Sequence, residues 1–152
     1  MTIHIVVPGK PKPGTGFRFT KNGHTYTGTK TSEWQAVVRL MALQECRAPL
    51  EGPLAVSITY WRPVPASWPK RPTKANRWPW AWWKKPDLDN LTKPSLDPFS
   101  GVAWHDDAQI VDLHLCKLHG DRNEMVVTIS EAQEHYHGAA TGSGAPRAVG
   151  DE

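Results

Sequence analysis

Lys84 to Asp112 reads KKPDLDNLTKPSLDPFSGVAWHDDAQIVD. Asp87 and Asp89 stand two apart, Lys93 follows Asp89 by four residues, and a Gly-containing connection leads to the pair Asp106-Asp107. Pro86 biases Lys85 toward an extended conformation, and Asp89 then suits the N-cap of a short helix beginning at Asn90. The i, i+4 spacing puts Lys93 on the same helix face as Asp89. Gln109 to Leu118 reads as a strand with Val111, Leu113 and Leu115 on one face, which returns Asp107 to the acidic cluster at the mouth of that strand. Carboxylates gathered this densely repel one another unless a cation sits among them. A divalent metal is the natural candidate.

Working outward, Ile3, Ile5 and Val7 alternate with Thr2, His4 and Val6 before Pro8-Gly9, the pattern of an N-terminal strand. Asn22-Gly23 between Phe17-Arg18-Phe19 and His24-Thr25-Tyr26 signals a hairpin. Lys10, Lys12, Arg18 and Lys21 cluster here, as a solvated surface on the plain reading and as phosphate contacts on the functional one. Ser32-Glu33-Trp34-Gln35 has capping-box spacing, and Trp34, Val37, Val38 and Met41 form a core-facing stripe on a helix from about Ser32 to Cys46, stopped by Pro49. Leu54, Val56, Ile58 and Tyr60 alternate along another strand. After residue 118, His119 to Asn123 turns the chain, and Met125, Val127 and Ile129 mark a final strand, read as a hairpin with the preceding one.

Between these elements lies RPVPASWPKRPTKANRWPWAWWKK, residues 62–85, with five prolines, five tryptophans and seven basic residues. Prolines at this density forbid a long helix or a central strand. A loop of this length in a small domain is functional or disordered. The reading is therefore an α+β fold: one small domain over residues 1–130, a mixed sheet with an N-terminal strand and hairpin, two helices and a C-terminal β-hairpin. The Gly/Ala-rich segment 131–152 reads as a disordered tail.

The chain has 152 residues and a formal charge of +3. Setting the acidic tail aside leaves 17 basic and 11 acidic residues on 1–130, the balance of a polyanion-binding domain. Cys46 and Cys116 form no C-x-x-C pair, which argues against a zinc site or a disulfide framework. No apolar run is long enough to span a bilayer, and MTIHIVVPGK lacks the regions of a signal peptide. A cytoplasmic protein with no membrane partner is the expectation.

The acidic centre excludes several chemistries. Counted from Asp87, the fifth, sixth and twelfth positions of a calcium-binding EF-hand loop fall on Leu91, Thr92 and Pro98, where an oxygen ligand, Gly and Glu are required. An aspartyl nucleophile of the phosphatase type ends an apolar strand, whereas Asp87 follows Lys84-Lys85-Pro86. Histidine metal spacings such as H-E-x-x-H are missing, and His135 and His137 lie in the tail. What remains is an all-oxygen site for Mg²⁺ or Mn²⁺, with a lysine beside it, suited to phosphodiester hydrolysis. The plain alternative stays open: Asp87 or Asp89 caps a helix, and Asp106-Asp107 shapes a turn.

KKPDLDNLTK followed by WHDDAQIVD resembles the RusA family of Holliday-junction resolvases, especially its phage-borne members. The resemblance extends to IVVPGKPKP, FRFTKNGHTYT, the Thr-Ser-Glu-Trp helix start, PVPASWPKR and the final strand, so it covers nearly all of 1–130. It implies a homodimeric α/β endodeoxyribonuclease that cuts four-way DNA junctions symmetrically with Mg²⁺ or Mn²⁺ in recombination and repair. By matching positions it implies Asp87, Asp89 and Asp107 as metal ligands and Lys93 as the catalytic lysine, with Asp106 and Asn90 behind them. In a phage-encoded protein the place of action is the host cytoplasm. The sequence departs from the family pattern at Pro94 and Pro98, and an interior proline is expected to bend and shorten the helix.

For the DNA, Lys10, Lys12, Arg18, Lys70, Arg71, Arg77, Trp78, Lys84 and Lys85 are the candidate contacts. Trp78, Trp80, Trp82 and Trp83 are candidates to stack on unpaired bases at the branch point, or else to cover the core or a dimer interface. The rival class is a binding module without catalysis, directed at branched DNA or, given its Trp, Pro and cation content, at a membrane interface.

Overall fold

The computed structural model describes residues 1–14, 18–19, 22, 25–26, 29–68 and 81–132. In chain order these form β1 (Thr2–Pro8), β2 (Arg18–Phe19), β3 (Thr25–Tyr26), α1 (Thr29–Glu45), β4 (Leu54–Pro63), α2 (Leu88–Leu96), β5 (Ile110–Gly120) and β6 (Glu124–Glu131). Two 3-10 turns, Asp97–Phe99 and Asp107–Gln109, flank the connection into β5. The main sheet has the order β1-β6-β4-β5, antiparallel except for the parallel pair β4 and β5. β2 and β3 make the expected small hairpin, Arg18 opposite Tyr26 and Phe19 opposite Thr25. The architecture is α+β with a mixed sheet, as the sequence implies.

The ladder explains which side chains meet. Register sets Ile5 against Val127, Val127 against Ile58, and Ile58 against Leu115, so the apolar positions of all four strands share one face. Trp34, Val38 and Ala42 of α1 and Leu91 of α2 close over that face, with Phe99 and Trp104 filling the end of the core. β4 is the central strand of this core: Leu54, Val56, Ile58 and Tyr60 are almost fully buried. Among the described residues no helix is long and apolar enough to cross a membrane.

Several expectations change. β5 and β6 are not a hairpin, because β4 lies between them and pairs with both. Asp121 to Asn123 bridges the gap, since a three-residue connection spans the roughly 10 Å across two strand spacings. The connection passes the end of β4, where Val64 N donates to Gly120 O at 3.0 Å. Local pattern identified both strands but carried no information about a third element able to slot between them. Within β5, Leu115 packs against the core but Val111 and Leu113 stay 48% and 38% exposed. This is an edge strand, and a register shift beside Leu54 disturbs its start.

The helices also shift. α1 begins at Thr29, three residues before the anticipated capping box, so Ser32 lies inside it. Trp34 and Val38 are buried as the stripe requires, while Val37 sits at the rim. α2 begins at Leu88 with Asp87 as N-cap, so Asp89 is in the first turn rather than at the cap. Pro94 does not shorten α2, which runs on to Leu96 with Pro94 buried inside it. The segment beyond Ala132, expected to be a disordered tail, lies outside the described residues, as do Lys70, Arg71, Arg77, Trp78 and Trp80.

Candidate active site

The placement of α2 starts from the sheet. Tyr60, fully buried at the centre of β4, donates its hydroxyl to Ser95 Oγ at 2.9 Å, and Ser95 Oγ donates to Leu91 O at 2.5 Å. This chain fixes the rotation of the helix about its own axis. Burial pushes the Tyr60 phenol up to about 12, against a smaller opposing effect of its bonds to Ser95 and Thr92. With Leu91 and Ser95 turned inward, Asp89 and Lys93 emerge on a neighbouring stripe.

That stripe lines an open cleft of about 420 Å³ whose walls are Leu88, Asp89, Thr92, Lys93, Leu96, Asp107 and Leu115. Asp89, Lys93 and Asp107 therefore face one space, from two elements separated in sequence. Lys93 is largely exposed and ion-paired with Asp97 at 3.2 Å, a solvent-screened contact that leaves the ammonium free to swing. Asp107 begins the 3-10 turn ahead of β5, and the fully buried Trp104 donates its indole N–H to Asp107 Oδ1 at 2.7 Å.

Asp106 has a different task. Its carboxylate accepts from Ala108 N at 2.7 Å, and Gln109 Oε1 accepts from Asp106 N at 3.1 Å, closing a capping box. Gln109 Nε2 then donates to Leu50 O and Gly52 O at 2.9 and 3.0 Å. Asp106 thus shapes and anchors the turn that presents Asp107, and it lines a separate depression with Glu51 and His105. Asn90 is exposed and does not line the cleft.

Asp87 is not a lining residue of the cleft either. Its Oδ2 is held by Lys85 Nζ at 2.6 Å, and the hydrogen bond and charge of Asp87 raise the Lys85 pKa. The strap leading into Asp87 is held by two cations. Lys117 donates to Lys84 O and Pro86 O at 3.0 and 2.8 Å, and Arg62 donates to Lys85 O at 3.4 Å. Both lie against Trp82, Arg62 at 4.6 Å and Lys117 at 5.1 Å from the ring centre. Burial lowers the Lys117 pKa, the positive charges of Arg62 and Lys85 lower it further, and Asp87 opposes them. Trp82 is 3% exposed, so its indole is a core element and not a platform for a base; Trp83, 73% exposed beside Lys84, remains free to make contacts.

Among the described residues no three His, Cys, Asp or Glu side chains are grouped so as to hold a metal ion by themselves. Asp89 and Asp107 facing one open cleft nevertheless fit Mg²⁺, which takes one or two carboxylates and completes its shell with water and phosphate oxygens.

Residues 8–130, spanning every element from the end of β1 to β6, match the family described as endodeoxyribonuclease RusA. The chain belongs to the RusA family. A curated relative, the uncharacterised protein YqaN of Bacillus subtilis (strain 168), is 28% identical over 132 residues, covering 83% of this chain and 89% of its own length. RusA membership suggests DNA phosphodiester cleavage as the class of activity, and the acidic strings read from the sequence lie inside the matched span.

Several contributors to this candidate site escape a reading by motif. Trp104 lies in the very string WHDD, but its indole N–H is directed at Asp107 only because of the turn between them. Lys117 carried a usable signal, being the one cation on the alternating face Leu113, Leu115, Lys117 of β5, where a charge must find partners. Arg62 was visible only as one of the loop's cations, and Tyr60 and Ser95 carried no signal because their contact joins elements 35 residues apart.

Proposed function

We propose that this protein is a metal-dependent endodeoxyribonuclease that resolves four-way DNA junctions as a homodimer, in recombination and repair. The observation that carries the reading is the meeting of Asp89, Lys93 and Asp107 in one cleft of a RusA-family chain. Asp89 and Asp107 would hold Mg²⁺ or Mn²⁺, with Asp87 joining them on release from Lys85. The ion, when bound, supplies the charge that acidifies an attacking water and offsets negative charge on the phosphoryl group.

The chain's own residues do the rest. Lys93, on an exposed arm at the cleft edge, leaves Asp97 for a non-bridging oxygen of the scissile phosphate and stabilises the charge that grows there. Trp104 keeps one oxygen of Asp107 engaged and so directs the other. Lys10, Lys12, Arg18, Lys84 and Lys85, with Lys70, Arg71 and Arg77 of the Trp-rich segment, supply phosphate contacts; Trp83, Trp78 and Trp80 are the rings offered to unpaired bases. Two subunits, one cleft each, match the two opposed cuts that a two-fold junction needs.

The test is a synthetic four-way junction incubated with the protein with and without Mg²⁺. Paired, metal-dependent nicks are the expected result; tight binding without nicking would instead identify a branched-DNA-binding module. Asp89→Asn and Asp107→Asn should each abolish cleavage while leaving junction binding intact or tighter, because repulsion between carboxylate and phosphate is relieved. Wild-type-like cleavage by either variant sinks the assignment of the cleft.

A further inference from the structure

Pro94 has no N–H, so the helical hydrogen bond that residue 94 would send to Asn90 O cannot form. In this structure the Asn90 carbonyl accepts instead from Gly14 N at 2.8 Å. The loop after β1 therefore supplies the donor that the proline lacks. The loop lies against the helix: a Cβ at residue 14 would stand 3.8 Å from Asn90 O and 3.9 Å from Pro94 Cδ and Cγ, in ordinary van der Waals contact with the ring.

α1 holds both halves of this joint. Thr31 Oγ1 donates to Pro13 O at 3.2 Å, and Gln35 Nε2, one turn later, donates to Pro94 O at 3.1 Å. Pro11 is buried, so the loop is pinned from its middle to Gly14. Lys10 and Lys12 extend from the same pinned segment. The charge of Arg62 lowers the Lys10 pKa, with burial and Lys12 adding to it. Cations on a fixed loop suit the phosphates of a nucleic acid.

We propose that Pro94 is a positioning residue: by leaving the Asn90 carbonyl open it docks the Lys10–Gly14 loop on the helix that carries Asp89 and Lys93. A DNA phosphate held by Lys10 and Lys12 is thereby set in fixed register with the cleft. The proposal rests on the nuclease reading for its DNA, but the joint itself is independent of it. A proline inside the site helix, on this account, exchanges an internal bond for a tertiary one.

Two measurements on the full-length protein decide it. The first is amide hydrogen exchange at Gly14 without DNA, in wild type and in Pro94→Ala, where the restored N–H takes the Asn90 carbonyl into the helix. Gly14 should be protected in wild type and exchange about tenfold or more faster in the variant, whereas Gly14→Ala, which keeps the N–H, should leave residue 14 protected. The second is the salt dependence of four-way-junction binding without Mg²⁺. Each lost phosphate contact removes about 0.9 from the slope of log affinity against log salt, so Pro94→Ala should flatten it by about one to two. Lys10→Ala should then weaken binding less in Pro94→Ala than in wild type.

Unchanged Gly14 exchange overturns the joint. Lost protection with an unchanged salt slope overturns its role in setting the phosphate. If wild type neither binds nor cuts a junction, the nuclease reading falls and the phosphate half of the proposal falls with it, while the exchange contrast still reports the joint.

Discussion

Gly120 sits where β5 passes the end of β4, and a Cβ there would lie 2.8 Å from Trp61 Cε3. A whole indole cannot yield as the tip of a flexible chain can, so Gly120→Ala should cost about 1–3 kcal/mol of overpacking. Urea denaturation measures it, and an unchanged midpoint would show that Trp61 moves freely. Trp104 offers a sharper case, because its ring is core while its N–H serves Asp107. Trp104→Phe retains the stack on Phe99, whose rings lie 5.3 Å apart, and removes only the donor. Metal affinity or activity should drop by about 10–100-fold, as when any partner that orients a ligand is lost. The discriminating signature is a rise in the Mg²⁺ concentration needed for half-maximal cleavage; a variant that loses stability alone would not show it.

At the scale of elements, α2 is oriented by the chain from Tyr60 through Ser95 to Leu91, and this makes the helix sensitive to alkali. The Tyr60 pKa is raised in the folded state to about 12 from an ordinary 10.0, so the phenol is neutral in both states below pH 10 and its contribution is intact there. Above pH 10 the unfolded chain loses this proton first, and stability drains away up to about pH 12, at roughly 1.4 kcal/mol per pH unit. Tyr60→Phe should flatten that alkaline slope in denaturation curves taken between pH 9 and 12; an unaltered slope would place the titrating group elsewhere. Periodicity made β1, β4, β6 and α1 legible, because each buries one face and its sequence repeats accordingly, while α2 was legible from Pro86 and the capping-type acids after it. Pairing was less legible: the turn after β5 has the length of a hairpin connection, and nothing local in Asp121 to Asn123 distinguishes a hairpin from a step across β4. Helix starts were misplaced for a related reason. Ser32 and Asp89 are competent caps, but Thr31 and Leu91 are drawn inward by the loop and the sheet, and tertiary contacts of that kind lengthen a helix past its local signals.

Across the whole molecule, the site divides into what chemistry alone could propose and what only packing could. The grouping of Asp89, Lys93 and Asp107 followed from residue type and spacing, since a carboxylate and a lysine four apart must share a helix face. The capping role of Asp106 and the pairing of Asp87 with Lys85 did not, because a capping, an ion-paired and a metal-facing carboxylate are the same residue type in a string of letters. The strand order adds a further consequence. β4 and β5 are parallel neighbours, and Asp87, Asp89, Lys93, Trp104 and Asp107 all lie in the single stretch of chain that joins them. That stretch also supplies Trp82, Leu91, Phe99, Val102, Ala103 and Trp104 to the core, so the candidate site and the packing of the sheet are built from the same residues. A substitution that moves the cleft is therefore expected to register in the stability of the four-stranded ladder as well.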